Sequence, residues 1–371
     1  MCDYRNMKLE KEWKAVGERV RRARVAEGLS QLELAQRIGV DDRTVISKIE
    51  LGDRRIDGIE LVQLAQVLRV PLDQFIFDPP PVISRRSGLV AEETTEAERS
   101  MFRVQTALVA WLRDVEQLVD TGLLDIPELI PYKGPKGTPS EARAAARHLR
   151  HILRIGENPT GSLMTVSERI GVLLAVVELE GDGASVVNGD YAVAVVNLKQ
   201  DFGRRRSTAA HELGHVFLGD EYSSEIAVHA SRDQREAVID AFASEFLLPS
   251  AVLRPHHGRL TRSTLISIAA RYQVSWSLAI RQAELAGCVE ESVAREWGAK
   301  RPTRAEFLDS LGWAPQPDLE RMRITPLLAH AVMAAYEARL ITADRAVEIM
   351  RGQIDGPEDL PQVEVPREMM W

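Results

Sequence analysis

His211, Glu212 and His215 stand in the run Thr208-Ala209-Ala210-His211-Glu212-Leu213-Gly214-His215-Val216-Phe217-Leu218. On a helix the two histidines, four residues apart, fall on one face, where two neutral imidazoles can hold a single zinc ion. Glu212 sits beside them. A zinc ion lowers the pKa of a bound water and polarises a carbonyl, and a neighbouring carboxylate can take the proton, which together hydrolyse a peptide without a covalent intermediate. A solvated helix with two histidines and a glutamate by chance is the competing explanation. The residues between and after them are Leu213, Gly214, Val216, Phe217 and Leu218, an apolar setting in which such groups are costly to bury without a metal or hydrogen-bond partners.

A catalytic zinc needs three protein ligands and an open position. The residue ten after His211 is Glu221, so the third ligand is not a histidine further along the same segment, and an acid on a later helix is expected. Arg232 to Leu248 reads as that helix, with Val238, Ala241, Phe242, Phe246 and Leu247 apolar and Glu236, Asp240 and Glu245 acidic. Glu236 and Asp240, four apart, share a face, and either can point at the metal. His229, between the two helices, is a candidate for stabilising an oxyanion.

The elements that must position these residues change period before the motif. Leu173 to Leu179 is apolar and β-branched, Ala184 to Val187 follows a Gly-Asp-Gly turn, and Tyr191 to Asn197 follows Asn188-Gly189-Asp190, so the three runs predict a small antiparallel sheet. An extended substrate is expected to lie against the strand Tyr191 to Asn197, adding its backbone to a sheet edge. Arg204-Arg205-Arg206, leading into the histidine helix, reads as a solvated loop. Upstream, Ser140 is the expected cap of a helix from Glu141 to Leu153, after a Gly-, Pro- and Lys-rich loop from Pro131 to Pro139.

The N-terminal part carries a different pattern. Val16, Val20 and Ala23 give a first helix its apolar stripe, ended by Gly28. Ser30 caps a second helix, Gln31 to Ile38, with Glu33 in the capping-box position. Asp41 or Asp42 caps a third through Glu50, broken at Leu51-Gly52-Asp53, and Ile59 to Leu68 supplies a fourth. A helix, a glycine-containing turn and a second helix form the arrangement that sets the second helix in the DNA major groove. Through Leu29-Ser30-Gln31, Leu34-Ala35, Ile38-Gly39-Val40, Ser47-Lys48-Ile49-Glu50 and Leu64-Ala65 to Val70-Pro71-Leu72, this stretch resembles the phage-repressor-like XRE (Cro/CI-type) helix-turn-helix family. The inward positions of the third helix fall on Ile46 and Ile49 rather than Val45 and Lys48, so the turn reads one residue longer than usual. Gln31, Asp42, Arg43, Thr44, Ser47 and Lys48 are the candidate DNA contacts. Residues 1–78 hold 14 Lys plus Arg against 14 Asp plus Glu, so one copy gains modest affinity from phosphate neutralisation, and a homodimer on two half-sites is expected.

The whole chain of 371 residues suggests two or three domains, and its net charge of −8 argues against non-specific coating of nucleic acid. No apolar run approaches the roughly 18 residues of a membrane span. Met1 to Lys14 lacks the apolar core of a signal peptide, so a cytoplasmic protein without a membrane partner is expected, and Cys2 and Cys288 as the only cysteines fit a reducing compartment. Asp78-Pro79-Pro80-Pro81 reads as a stiff linker, and Ala97 to Leu124 as one long helix with Met101, Val104, Leu108, Trp111, Leu112, Val115 and Leu118 in its stripe.

Between roughly Ala142 and Gly287 the sequence resembles the ImmA/IrrE family of metallopeptidases. The matching residues are Val195-Val196-Asn197, Arg204 to Ser207, Ala210-His211-Glu212-Leu213-Gly214-His215, then Glu236, Asp240, Phe242-Ala243, Leu247-Leu248-Pro249, Tyr272, Val274-Ser275 and Ala279. The resemblance implies Zn2+ held by His211, His215 and Glu236, with Asp240 as the reserve ligand or as partner of a ligating histidine, and Glu212 as catalytic base. It implies cleavage of a repressor-type protein in a stress, prophage or toxin-antitoxin setting. The expected architecture is α+β and mostly helical: an all-α helix-turn-helix domain at 13–78, a linker and long helix at 79–139, a zincin-like domain with a small antiparallel sheet at 140–287, and a C-terminal helical region with an acidic tail at 288–371. The alternative function is a non-proteolytic transcription factor or antitoxin whose zinc site is structural or sensory.

Overall fold

The computed structural model describes residues 2–77, 84–86, 95–219, 232–312, 319 and 323–362. They form two compact units, one drawn from residues 1–81, 85–110 and 179–181 and the other from the remainder.

The first unit is helical: α1 (Cys2–Ala26), α2 (Gln31–Arg37), α3 (Arg43–Leu51), α4 (Gly58–Leu68) and α5 (Asp73–Ile76). Short polar residues start these helices. Ser30 accepts from the Glu33 amide while the Glu33 carboxylate reaches back to the Ser30 amide, closing the expected capping box, and Asp57 with Glu60 does the same for α4. Of the two aspartates that could cap α3, Asp42 does so, accepting from the Thr44 amide at 2.8 Å. The helices enclose Val20, Leu34, Ile46, Ile49, Leu64 and Phe75. Ile46 and Ile49 are buried whereas Lys48 is exposed and Val45 only partly covered, as the longer turn requires. Glu50, on the buried face of α3, pairs with Arg24 of α1 at 2.6 Å and accepts from the Gln31 side-chain amide at 2.8 Å. A short strand, β1 (Ser84–Arg86), follows, then α6 (Thr95–Asp120), whose residues up to 110 belong to the first unit and the rest to the second.

In the second unit, α7 (Pro139–Ile152) starts two residues before the expected Glu141: Thr138, not Ser140, caps it, because Thr138 and Glu141 complete a capping box with Pro139 at the first position. After α8 (Leu163–Glu168) come β2 (Val172–Val177), β3 (Gly183–Asn188) and β4 (Tyr191–Asn197). The sheet is mixed rather than antiparallel. β3 pairs antiparallel with β4, but β2 pairs parallel with it, Val172 opposite Ala192 through Val177 opposite Asn197. The reason lies in β2 itself, a continuous apolar run buried on both faces like a strand of a parallel sheet. β4 is therefore central, with both ladders used, and cannot receive a substrate backbone as an edge strand would. That corrects the expected substrate position against Tyr191 to Asn197.

Helix α9 (Phe202–Leu218) crosses the sheet and packs on α10 (Arg232–Leu247). Asp201 caps α9 by accepting from the Arg204 amide at 3.0 Å, so the arginine triplet lies inside the helix and not in a solvated loop. Arg205 and Arg206 are buried and donate to backbone carbonyls of Leu198, Gln200, Leu319 and Gly161; Arg204 pairs with Asp182 at 2.8 Å. The small helices α11 (Ser250–Leu253), α12 (Arg262–Tyr272), α13 (Trp276–Leu285), α14 (Glu291–Gly298) and α15 (Arg304–Leu311) complete this side, and α16 (Pro326–Glu337) and α17 (Ala343–Ile349) follow. The C-terminal helices pack on the sheet-bearing unit: Ile324 bridges Ala175 of β2, the Leu327 amide donates to Glu168 at 3.1 Å, and Arg345 donates to the buried carboxylate of Asp114 at 2.6 Å. The acidic tail beyond residue 362 lies outside the described residues. Among the described residues, no helix is long and apolar enough to cross a membrane.

The register of α3 has a measurable consequence. Ile46→Ala removes a fully buried side chain and is expected to cost about 2–5 kcal/mol, whereas the half-covered Val45→Ala costs well under that. Denaturant melts of the two variants check this; equal losses would place the wrong residue inward.

Candidate functional site

α9 ends at Gly219, and over its last two turns His211, Glu212 and His215 are fully or almost fully buried. The His211 and His215 Nε2 atoms lie 3.1 Å apart, with the rings edge to face at 69°. From α10, Glu236 brings Oε2 to 3.2 Å of the His211 Nε2. One donor atom from each of the three lies within 4.8 Å of the others. Asp240 goes elsewhere on the same histidine: its Oδ1 is 3.0 Å from Nδ1. An imidazole whose Nδ1–H is held by a carboxylate presents its Nε2 lone pair outward, so Asp240 fixes the tautomer and orientation of His211 while Glu236 joins the donor set. The two acids of α10 that shared a face thus approach different nitrogens of one ring, Glu236 at Nε2 and Asp240 at Nδ1.

The donor set suits a small divalent ion. Bonds of about 2.0–2.1 Å in a tetrahedron put neighbouring donors about 3.3 Å apart, close to the 3.1 and 3.2 Å found for the two pairs that include His211, with all three donors within 4.8 Å. Without a cation, or a proton shared between them, two imidazole lone pairs and a carboxylate at such distances repel one another. Burial by itself would raise the Glu236 carboxyl; the hydrogen bond and the attraction of the two imidazoles outweigh it and hold the group below the ordinary carboxylate value.

The close approach of α9 and α10 has a specific cause. A Cβ on Gly214 would come within 2.8 Å of Phe242 Cδ1 and 3.2 Å of Ile239 Cγ2, so only glycine lets α10 come near enough for Glu236 to reach His211. On the opposite side β3 presses on α9 in the same way: a Cβ on Gly183 would meet Thr208 Cγ2 at 2.8 Å. Two residues along, on the same face of the strand, Ser185 donates from Oγ to the Glu212 Oε2 at 2.8 Å. The other carboxylate oxygen, Oε1, is buried with no hydrogen-bond partner among the described residues. Ser185 escaped the sequence reading; its trace there is the alternation of small residues, Gly183 and Ser185, on one face of a strand adjoining the motif. His229, the proposed oxyanion group, lies outside the described residues.

In the first unit, Arg43, Thr44 and Lys48 are exposed and Ser47 partly so, and their positions along α3 give them one face, away from Ile46 and Ile49. Gln31 and Asp42 are engaged locally, the first with Glu50 and the second with both the amide and hydroxyl of Thr44.

Residues 20–75 match the family described as helix-turn-helix, and residues 180–283 match the IrrE N-terminal-like domain, a metallopeptidase family. Over 74 residues, 20% of this chain and 68% of the relative, the sequence is 43% identical to an uncharacterized transcriptional regulator in the ATPase CF(0) region of Rhodospirillum rubrum. The chain belongs to the XRE-type helix-turn-helix transcriptional regulators and carries an ImmA/IrrE-type peptidase domain behind its DNA-binding head.

The glycine contact can be tested directly. Gly214→Ala is expected to cost about 1–3 kcal/mol by overpacking and, by pushing α10 outward, to lower metal retention during dialysis against a chelator. Retention equal to that of the unmodified protein would show that the helix contact does not set the donor spacing.

Proposed function

We propose that this regulator is a zinc-dependent endopeptidase that cleaves a protein segment, a repressor-type protein being the class that fits a chain with an operator-reading head. The observation that carries this reading is Glu212: a buried carboxylate with one oxygen lacking a partner among the described residues, adjacent in sequence to a three-donor cluster built of two histidines and an acid. A purely structural ion asks for a closed ligand shell and gives no work to such an acid.

His211, His215 and Glu236 are the residues that would hold zinc, and Asp240 keeps the His211 ring turned with Nε2 toward the ion. Bound zinc would supply Lewis acidity, polarising the scissile carbonyl and acidifying water. Glu212 Oε1 takes the proton from the attacking water and later delivers it to the leaving amine nitrogen, so the carboxylate is restored at the end of the cycle. The near-complete burial of His211, Glu212 and His215 keeps bulk water away from them and strengthens these electrostatic effects.

The head reads double-stranded operator DNA through α3. Arg43, Thr44, Ser47 and Lys48 form the face that meets the major groove, while Asp42 caps the start of α3 and the half-buried Gln31 ties the start of α2 to Glu50. Balanced charge in the head makes two copies on paired half-sites the working form.

The test pairs two variants. Glu212→Gln is expected to keep one zinc per chain by elemental analysis, to bind operator DNA as before, and to lose about 10²- to 10⁴-fold in cleavage of a proteome-derived peptide library followed by mass spectrometry. Glu236→Ala is expected to lose the zinc. If Glu212→Gln regulated transcription in cells like the unmodified protein, the non-proteolytic transcription factor or antitoxin would be the better description.

A further inference from the structure

Buried acids in this chain come in two kinds. Glu245, fully buried on α10, has both oxygens occupied: Oε1 accepts from Arg147 at 3.1 Å and from the Ser250 hydroxyl at 3.2 Å, and Oε2 from the Ser250 amide at 3.2 Å. A carboxylate satisfied in this way ties elements together. Glu212 is equally buried yet, among the described residues, satisfied on one oxygen only, by the hydroxyl of Ser185, itself fully buried on β3.

We propose that Ser185 is a positioning residue for Glu212, selecting which carboxylate oxygen acts as the proton acceptor. The proposal rests on the peptidase reading and deepens it. A glutamate side chain has three rotatable bonds, and its two oxygens are interchangeable by a half-turn of the last. One hydrogen bond from a strand that cannot shift breaks that equivalence. The Ser185 Oγ–H stays on Oε2 at 2.8 Å, and Oε1 is left as the site for the transferred proton. Because the serine proton is never transferred, proton balance across the cycle is unchanged: Oε1 gains one from water and returns it to the amine.

Two features make the hydroxyl suited to this task. β3 stands close to α9 because Gly183, on the same strand face, has no side chain to hold it off; an added Cβ would also meet the Val195 carbonyl oxygen at 2.8 Å. And β3 is fixed by its antiparallel ladder to the central strand, with Ser185 opposite Ala194, so the donor's place is set by backbone hydrogen bonds rather than by a mobile loop. An alanine at this position would leave Oε2 buried without a donor and the carboxylate free to rotate.

The experiment uses cobalt(II)-substituted full-length protein, whose visible spectrum reports ligand exchange at the metal, and acetohydroxamate as the probe. This acid must surrender a proton when it binds a metal, and the adjacent carboxylate is the group that takes it. Ser185→Ala is expected to keep full metal stoichiometry and a native far-ultraviolet spectrum while acetohydroxamate affinity falls about 10- to 100-fold, toward that of Glu212→Gln. Ser185→Thr, which keeps the hydroxyl, is expected to retain most of the affinity. Unchanged affinity in Ser185→Ala overturns the proposal, as does loss of the metal in that variant, which would make Ser185 a packing residue only. Unmodified protein that binds cobalt and acetohydroxamate but cleaves no peptide would count against the peptidase reading while leaving the Ser185 comparison decisive. Failure of the unmodified protein to bind acetohydroxamate at all would overturn both.

Discussion

The spacing of two helices over the sheet governs the rest of the molecule's chemistry. His211 and His215 share a helix and meet almost automatically, but the third donor must arrive from another helix with its carboxylate oxygen 3.2 Å from an imidazole nitrogen. That distance exists because α9 turns a residue without a side chain, Gly214, toward Phe242 and Ile239 of α10. Helices with ordinary side chains at the contact stay about 8–10 Å apart, axis to axis, so a glycine there shortens the reach required of a glutamate. Asp240 uses the same approach from one turn further along, and the pair fixes both the position and the ring orientation of His211.

The sheet acts from the other side. Gly183 and Ser185 lie on the β3 face that meets α9, and the absence of bulk there brings a buried hydroxyl to one oxygen of Glu212. Glu245 shows what the fold does with an acid needed only for cohesion: it surrounds it with donors. Among the described residues Oε1 of Glu212 has none, and a buried polar atom lacking a partner forfeits its hydration at a cost in stability. A cost of that kind, borne beside a metal-suited cluster, is what the proposed peptidase reading rests on.

Much of this was legible because it is local. The capping box at Ser30 and the same-face placement of His211 and His215 follow from spacings of three and four residues, which the α-helix fixes without outside help. The inward turn of Ile46 and Ile49 follows from the same periodicity. What required the folded chain was pairing at a distance. Three apolar runs with turn residues between them look alike whether their ladders are parallel or antiparallel, and only the chain path placed β4 between β2 and β3. Glu236 and Asp240 were equivalent on a helical wheel and became distinct once one faced Nε2 and the other Nδ1 of a single ring. The arginines at 204–206 looked exposed by composition, yet two of them are buried donors to backbone carbonyls, a role that composition does not encode.

The most direct measurement is the X-ray absorption spectrum of the zinc-loaded protein at the metal edge. The account predicts a first shell of nitrogen and oxygen at about 2.0–2.1 Å with the multiple-scattering pattern of two imidazoles. A sulfur shell near 2.3 Å, or the absence of histidine scattering, would contradict it.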